Sequence, residues 1–394
     1  MALQSLLRAP SRGVSPAAVT SRVSTIAAVT RGQRLSTYSI GVYPGDGIGV
    51  DVTKATFRLL GAMEEKYRFK LESNWYPWGC DYYDKTGTVA PDSMIDTLLG
   101  HDAVFLGAVG YPSRLEDHIT LEPLIRMRQA FDQFACVRPA RTFPGVLSPL
   151  SGDPQIDMIV VRENSEGEYV NCGGRVAVGT PNEVAVQSAV HTRRGVERIL
   201  RYGFELALRP ERRQRLTMVT KSNAQRYGMT LWDEILDQIV PEYPTVQVDK
   251  QHVDACAMNF IRQPEQFDVV VASNLFGDIL SDLSGAITGS LGLNPSANLD
   301  PTRRFPSLFE PVHGSAPDIS GKGICNPTGA MLSAAMMLEW LGGAPGALAS
   351  HADAADAIRK GVEHVLAREA TPDAGGGLTT SQFTDAVIED VLSR

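Results

Sequence analysis

Short runs of β-branched and aliphatic residues alternate with amphipathic stretches along most of the chain. Each run has the length and composition of a buried strand. The runs that predict strands are YSIGVYPGDGIG (38–49), HDAVFLGAVG (101–110), QIDMIVVREN (155–164), RLTMVTKSN (215–223) and FDVVVASN (267–274). Residues 50–67, residues 329–343 and the end of the 373–394 tail have helical patterns instead. Strands that alternate with helices predict an α/β protein with much parallel sheet.

Polar residues follow two of these strands, at 215–223 and 267–274, and the carboxyl ends of such strands tend to expose functional side chains. Beyond the second strand, Asp278 and Asp282 lie four residues apart, so a helix brings them to one face. Two like charges that close repel unless a cation or a base lies between them, and carboxylate oxygens suit Mg²⁺ or Mn²⁺. A solvated helix face is the alternative, but it is disfavoured by apolar neighbours: Leu275, Phe276, Ile279, Leu280 and Leu283.

Two glycine-rich segments are candidates for ligand binding. Residues 44–49, PGDGIG, could bring backbone close to a phosphate, but they match neither G-x-G-x-x-G nor a P-loop. A tight turn without a ligand explains them equally well. Residues 310–327, EPVHGSAPDISGKGICNP, form a longer loop that contains His313 and Asp318. Loops of this length are usually functional, and a structural crossover is the alternative.

Three arginines are candidates for binding an anionic substrate. Arg128, Arg138 and Arg162 lie beside apolar segments and glycine loops. Arginine binds carboxylates through two parallel hydrogen bonds. Each of the three alone would more often be a surface residue, so their interest comes from this setting.

Composition separates a leader from the rest of the chain. Residues 1–44 contain five arginines, many Ser, Thr and Ala, and no Asp or Glu, which predicts a mitochondrial transit peptide at 1–37 and a location in the matrix. A disordered tail is the alternative.

The remainder of the chain has 32 basic against 45 acidic residues, which argues against nucleic acid as a partner. No apolar run approaches the ~18 residues of a membrane span. The five cysteines are scattered and fit neither a disulfide framework nor a zinc site.

Several motifs occur in the order found in one known family. GDGIG, RENSEGEY, QHVDACAM, SNLFGDILSDLSG and EPVHGSAPDISGKGICNP resemble the isocitrate/isopropylmalate dehydrogenase family, which comprises metal-dependent decarboxylating dehydrogenases of 2R-hydroxy acids. The likeness runs from about residue 38 to the C-terminus. DHIT, VHTRRGVERILRYGFELA and FGDILSDL are most similar to the branch that acts on tartrate and D-malate.

The resemblance implies roles for individual residues. Arg128, Arg138 and Arg162 match the arginines that hold the substrate's two carboxylates. Tyr169 matches the tyrosine that protonates the carbon that loses CO₂, and Lys221 matches the lysine that handles the hydroxyl proton.

The resemblance also implies cofactors. Asp254, Asp278 and Asp282 match carboxylates that hold Mg²⁺ or Mn²⁺, which serves the family as a Lewis acid. The HGSAPD loop matches the loop that binds NAD, with Asp318 on the ribose and Asn326 near the adenine. The predicted cofactor-binding residues are His313, Gly314, Ser315, Ala316, Asp318 and Asn326.

For the fold, the resemblance implies a two-domain isopropylmalate-dehydrogenase-like architecture rather than a Rossmann fold, with the cleft between the domains. Residues 38–133 and 291–394 would form the large nucleotide-binding domain, and residues 134–290 the small domain with the dimer contacts. The family supplies Lys221 and Asp254 from the neighbouring subunit. We therefore expect a homodimer with shared active sites.

One segment departs from the tartrate and D-malate branch. Where those enzymes typically have DHISLWG, this chain reads DHITLEPLIRMR, with Glu122 and Pro123 near the substrate's variable end. A carboxylate there would disfavour the third carboxylate of isocitrate, and an isopropyl group would need apolar neighbours. D-malate or tartrate is therefore the expected substrate. The alternatives are 3-isopropylmalate dehydrogenase and a catalytically silent regulatory subunit that binds nucleotide.

Overall fold

A computed structural model describes residues 35–344 and 348–394. The predicted transit peptide at 1–37 lies outside this part except for its last three residues, of which Ser36 and Thr37 belong to the first strand. The strands of the described part are β1 (Ser36–Gly45), β2 (Phe69–Trp75), β3 (Ala103–Ala108), β4 (Ala135–Arg141), β5 (Asp157–Glu163), β6 (Gly173–Val176), β7 (Val184–Gln187), β8 (Arg215–Thr220), β9 (Gln247–His252), β10 (Val269–Ala272), β11 (Pro295–Leu299) and β12 (Ser307–Pro311). The α-helices of the same part are α1 (Ile48–Tyr67), α2 (Cys80–Thr86), α3 (Met94–Leu98), α4 (Asp117–Thr120), α5 (Glu122–Ala130), α6 (Arg193–Ala207), α7 (Gly228–Ile239), α8 (Val253–Arg262), α9 (Asn274–Ile287), α10 (Thr328–Gly342), α11 (Ser350–Leu366) and α12 (Thr380–Ser393).

One mixed sheet runs through the described part of the chain in the order β2-β1-β3-β12-β11-β4-β5-β10-β8-β9. The first four strands are mutually parallel, as are β5, β10, β8 and β9 at the other end. Between these groups, β11 and β4 pair antiparallel with each other and with their outer neighbours. The α/β class predicted from the alternating pattern is confirmed. The division into two domains stays a prediction.

Apolar helix faces cover this sheet. Helix α6 buries Val196, Ile199 and Phe204, whose spacing places them on one face, and it packs on β5, β8 and β10. Helix α10 is buried on nearly all sides because it packs on β11 and β12 and also against α11. In the described part of the chain, no helix is both long and apolar enough to cross a lipid bilayer.

Four parallel strands bring candidate residues to one edge of the sheet. Strand β5 ends at Arg162 and Glu163, β10 leads into α9, β8 ends before Lys221, and β9 ends before Asp254. Because neighbouring strands are about 4.8 Å apart, β8 lies roughly 10 Å from β5 along this edge. The sheet thus sets Arg162 and helix α9 together and places Lys221 and Asp254 further along.

Candidate active site

Asp278 is the point on which three other predicted site residues converge. Its Oδ1 forms an ion pair with Nη1 of Arg162 and lies 3.2 Å from Nη1 of Arg138. Its Oδ2 accepts a hydrogen bond of 2.8 Å from the Tyr169 hydroxyl. The Arg162 guanidinium also lies over the Tyr169 ring, 5.0 Å from its centre. Two of the three predicted substrate arginines and the predicted general acid therefore meet around one predicted metal ligand.

Neighbouring side chains fix the arginines in place. Arg162 donates from Nε and Nη2 to the side-chain oxygen of Asn274, at 2.9 and 2.6 Å. Arg138 donates to Ser281 Oγ at 2.7 Å, and Arg128 pairs with buried Glu310 at 3.1 Å. A guanidinium held in one orientation is suited to bind a carboxylate bidentately.

Two buried arginine donors remain for a ligand. The Nε atoms of Arg128 and Arg138 have no hydrogen-bond partner among the described residues. A buried polar group without a partner costs free energy comparable to a lost hydrogen bond.

The charges of this cluster set the protonation states. Burial alone would raise the pKa of Asp278, but Arg162 and Arg138 outweigh it and hold that pKa below its ordinary value. Burial, together with the nearby charge of Asp278, raises the pKa of Tyr169. At neutral pH the site thus contains an ionised carboxylate beside a phenol that keeps its proton, as a general acid must.

Arg138 provides the positive charge between the two aspartates of α9. Its Nη1 lies 3.2 Å from Asp278 and 3.8 Å from Asp282, which is one helical turn further on and largely exposed. The like charges that the sequence places on one helix face are therefore balanced within this chain by a base. Both carboxylates still offer oxygen atoms of the kind that Mg²⁺ and Mn²⁺ prefer.

Asp254 is not brought to this pair within one chain. It lies in the first turn of α8 and pairs instead with Lys221, whose Nζ lies 2.6 Å from its Oδ1, and this hydrogen bond lowers the pKa of Asp254. Among residues 35–344 and 348–394, no three His, Cys, Asp or Glu side chains form a cluster that could hold a metal ion. The donor set of Asp278 and Asp282 fits part of a hard-cation site, and its completion needs a ligand from elsewhere.

The glycine turn at 44–49 packs against the predicted nucleotide loop. The Ile48 amide donates to the carbonyl oxygen of Ser315 at 2.7 Å, and a Cβ on Gly47 would lie 2.0 Å from that oxygen. Gly47 also has a φ of +55°, which favours glycine. Asp46 accepts hydrogen bonds from the amides of Cys80 and Gly110. These contacts hold the turn against the predicted nucleotide loop.

The predicted nucleotide loop contains two buried polar atoms without partners in the described part of the chain, His313 Nε2 and Asn326 Nδ2. His313 Nδ1 lies 2.8 Å from the Gly314 carbonyl oxygen, and burial lowers the pKa of the ring, so the histidine is neutral. Asn326 accepts at its oxygen from the Thr328 amide at 2.9 Å, which leaves Nδ2 free. Asp318 is exposed, and Ala316 has a φ of +35°. The loop therefore presents neutral donors and acceptors beside an exposed carboxylate.

A small cleft borders this cluster, and its lining includes residues that sequence reasoning missed. The lining residues are Ile125, Arg128, Gln129, Asn164, Ser165, Tyr169 and Asn274. Asn164 donates to Asn298 Oδ1 at 2.8 Å and to the Gln133 carbonyl at 3.1 Å, so its own oxygen has no partner among the described residues. Asn164 and Asn274 both lie within two residues of a strand end, and this recurrence of Asn could have indicated them from the sequence.

The sequence interpretation of Glu122 was wrong. Glu122 is exposed and pairs with Arg126 at 3.6 Å, one turn along α5, and it is not part of the cleft lining. Ile125 and Gln129 lie on the helix face that includes Arg128 and border the cleft instead. Because Glu122 lies outside this lining, its charge gives no ground for excluding isocitrate.

Two bacterial enzymes are similar to nearly the whole described chain. The D-malate dehydrogenase (decarboxylating) of Escherichia coli K12 is 49% identical over 364 residues, which cover 91% of this chain and 99% of that enzyme. The tartrate dehydrogenase/decarboxylase of Pseudomonas putida is 48% identical over 366 residues, which cover 91% and 98%. The crystal structure of isocitrate dehydrogenase from Methylococcus capsulatus superposes with a TM-score of 0.79 at 36% identity and covers 90% of this chain and 99% of that one.

These relatives overturn the predicted location. They are bacterial enzymes, as are the proteins of Agrobacterium vitis and Bacillus subtilis that are named probable tartrate dehydrogenase/decarboxylase and match about nine-tenths of the chain. The predicted location in the mitochondrial matrix is therefore wrong, and the interpretation of residues 1–37 as a mitochondrial transit peptide loses its support. An arginine-containing composition without acidic residues is not specific to import.

The family and the fold type implied by the sequence motifs are confirmed. The family model for isocitrate/isopropylmalate dehydrogenase matches residues 39–387, which include the whole arginine, tyrosine and aspartate cluster. This chain belongs to the isocitrate/isopropylmalate dehydrogenase family.

Proposed function

We propose that this protein is an NAD- and divalent-metal-dependent enzyme that oxidises and decarboxylates a 2R-hydroxy diacid, with D-malate and tartrate as preferred substrates. The observation that carries the proposal is the convergence of Arg138, Arg162 and Tyr169 on Asp278 beside a cleft lined by Arg128. Further support comes from the two relatives named for these substrates, at 48–49% identity.

The lining supports a small, polar diacid. The three arginines would bind the two carboxylates, and the unpartnered Nε atoms of Arg128 and Arg138 would complete those contacts. Ile125 is the apolar member of the lining, whereas Gln129, Asn164 and Ser165 are polar. An isopropyl group would find few apolar neighbours here. The proposed preference for D-malate or tartrate therefore rests on the polar lining and not on a Glu122 carboxylate.

The proposed reaction has two steps. Lys221 accepts the proton of the C2 hydroxyl as hydride passes from C2 to NAD⁺, which gives a β-keto acid and NADH. The bond to the β carboxylate then breaks to release CO₂, and Tyr169 returns a proton to the carbon that lost it. A Mg²⁺ or Mn²⁺ ion held by Asp278 and Asp282, with Asp254 of the partner subunit, would supply Lewis-acid chemistry at the substrate oxygens.

A homodimer would bring the separated residues together. Lys221 and Asp254 lie along the sheet edge away from Asp278 and are partly exposed. Large exposed apolar side chains lie on the β6–β7 hairpin and on helices α8 and α9: Val176, Val178, Val184, Val186, Met258, Ile261 and Ile279. Exposed apolar side chains that form a patch often mark protein interfaces. We therefore propose that each subunit supplies its lysine and Asp254 to the partner's cleft.

A substrate panel tests the proposed function. Purified enzyme with NAD⁺ and Mn²⁺ should oxidise D-malate and tartrate with kcat/KM well above that for 3-isopropylmalate or isocitrate. A higher kcat/KM for 3-isopropylmalate would instead favour the alternative of a 3-isopropylmalate dehydrogenase, and no turnover of any of the four would contradict the proposal.

Co-expression of two inactive variants should restore activity if the sites are shared. Tyr169→Phe disables the subunit's own cleft, whereas Lys221→Met disables the partner's cleft. In a mixed dimer one cleft therefore has both defects and the other has neither. Each variant should be nearly inactive alone, and their mixed dimers should regain turnover. Mixed dimers as inactive as their parents would place Lys221 and Tyr169 in the same subunit's site.

NAD⁺ should be strongly preferred over NADP⁺. The exposed Asp318 carboxylate can accept hydrogen bonds from a ribose 2′-hydroxyl but would repel a 2′-phosphate. The ratio of kcat/KM for the two cofactors should fall when Asp318 is replaced by Asn. The same replacement at exposed Asp353 on α11 serves as the control and should leave the ratio unchanged. Equal kcat/KM for the two cofactors in the wild-type enzyme would exclude this role of Asp318.

A further inference from the structure

The residues on both sides of Lys221 are bound to one carboxylate. Thr220 Oγ1 donates to Asp233 Oδ1 at 2.8 Å, and Ser222 Oγ donates to Asp233 Oδ2 at 2.8 Å. Hydrogen bonds to an ionised acceptor are roughly twice as strong as neutral ones. Asp233 therefore holds the turn that carries Lys221 from both of its ends.

The backbone of Lys221 is also held. Its carbonyl oxygen accepts hydrogen bonds from the amides of Ala224 at 2.9 Å and Gln225 at 2.8 Å. Thr220 is only 1% exposed and ends a strand that pairs with both β9 and β10. Thr220, Ser222 and the carbonyl group of Lys221 are therefore all fixed. Only the side chain of Lys221 is left free to move, and it extends toward Asp254.

Asp233 is itself a stable anchor. It lies in α7, whose adjacent residues Trp232, Ile235 and Leu236 are almost fully buried in the core. Lys250 Nζ, from the neighbouring strand β9, lies 2.9 Å from Asp233 Oδ2 and balances its charge. Because α7 is packed in the core, Asp233 and the Lys221 turn bound to it are held in a fixed position.

We propose that Asp233 is a positioning residue that sets the reach of the Lys221 amine toward the substrate hydroxyl. This inference rests on the role proposed above for Lys221 as the group that accepts the hydroxyl proton. A base must come within hydrogen-bond distance of the proton it takes, and a misplacement of about 1 Å can cost 10²-fold in rate. Asp233 is not among the residues that line the cleft, so its loss should change the rate of the chemistry rather than substrate binding.

Asp233→Ala should lower kcat on D-malate roughly 10- to 100-fold while KM for substrate and NAD⁺ stays near the wild-type value. Lys250→Met is the matched control, because it removes the ion pair to Asp233 but leaves both hydroxyl hydrogen bonds. It should retain wild-type kcat. Thermal unfolding of both variants checks that the fold is intact.

A combined variant tests whether Asp233 acts through the two hydroxyls. Thr220→Val with Ser222→Ala removes the same hydrogen bonds from the other side and should lower kcat to a similar extent. Adding Asp233→Ala to that pair should cause no further loss, because the interaction is already absent. A folded Asp233→Ala enzyme with wild-type kcat, an equal loss in Lys250→Met, or fully additive losses would overturn the proposal.

Lys221→Met separates this inference from the proposed function. If Lys221→Met is inactive and Asp233→Ala is normal, the positioning role alone fails. If Lys221→Met retains wild-type kcat, Lys221 is not the proton acceptor and the proposed function loses that assignment, whatever Asp233 does.

Discussion

Tyr169→Phe should lower kcat on D-malate by about 10²- to 10⁴-fold, the usual contribution of a general acid. The phenol keeps its proton at neutral pH, and burial and the charge of Asp278 raise its pKa further above the ordinary value. It lines the cleft beside Arg128 and donates to Asp278 at 2.8 Å. Arg162 and Arg138 still hold Asp278 when the hydroxyl is removed, so substrate and NAD⁺ should bind much as before.

The variant should separate the two chemical steps. In a single turnover, NADH should form faster than pyruvate, because hydride transfer does not use the phenol and the proton transfer after loss of CO₂ does. Oxaloacetate supplied with Mn²⁺ should be decarboxylated slowly. Tyr43→Phe is the control, since it removes a fully buried hydroxyl that has no partner among the described residues. Pyruvate production at the wild-type rate by Tyr169→Phe would make Tyr169 a packing residue.

Asp278→Asn should abolish metal-dependent turnover and also destabilise the metal-free protein. Removal of the charge leaves Arg162, only 2% exposed, without its ionic partner and weakens the pair with Arg138. A buried group left unsatisfied costs about 1–3 kcal/mol. The sequence alone would suggest the reverse, because loss of one of two like charges should relieve repulsion. The arginines reverse that expectation.

Asp282→Asn separates the two effects of the Asp278 change. Asp282 is more exposed than Asp278 and lies 3.8 Å from Arg138, so its replacement should impair metal-dependent activity with little change in the free energy of unfolding. Urea unfolding without metal measures the stability of both variants at pH 7. The pKa of Asp278 lies below its ordinary value, so its stabilisation is present above about pH 4 and is lost in more acidic solution. An Asp278→Asn protein as stable as wild type, or one with normal metal-dependent activity, would contradict this account.

Much of the fold could be predicted because the parallel strands are continuous apolar runs. Strands β1, β3, β5, β8 and β10 and helices α1, α10 and α12 all lie where the hydrophobic pattern placed them. Strand β4 was not predicted, since Pro139 and two arginines interrupt its apolar pattern. Its antiparallel pairing with β5 and β11 depends on contacts distant in sequence, which no local pattern contains.

The sequence indicated the candidate site residues but not the contacts between them. The strand-end pattern indicated Arg162, and the helical spacing put Asp278 and Asp282 on one face. Arg138 lies between the two aspartates because β4 pairs with β5. This position could not be predicted from the sequence around Arg138 alone. Glu122 was misplaced because the start of α5 sets which face meets the cleft, and that start was unknown.

The central claim, an oxidative decarboxylation, is tested most directly by the product stoichiometry of the wild-type enzyme. With D-malate, NAD⁺ and Mn²⁺, NADH should be followed by absorbance while pyruvate and CO₂ are assayed in the same samples. The account predicts one pyruvate and one CO₂ for each NADH, at a rate that collapses when a chelator removes the metal. NADH formed with accumulating oxaloacetate and no CO₂, or turnover that persists without metal, would contradict it.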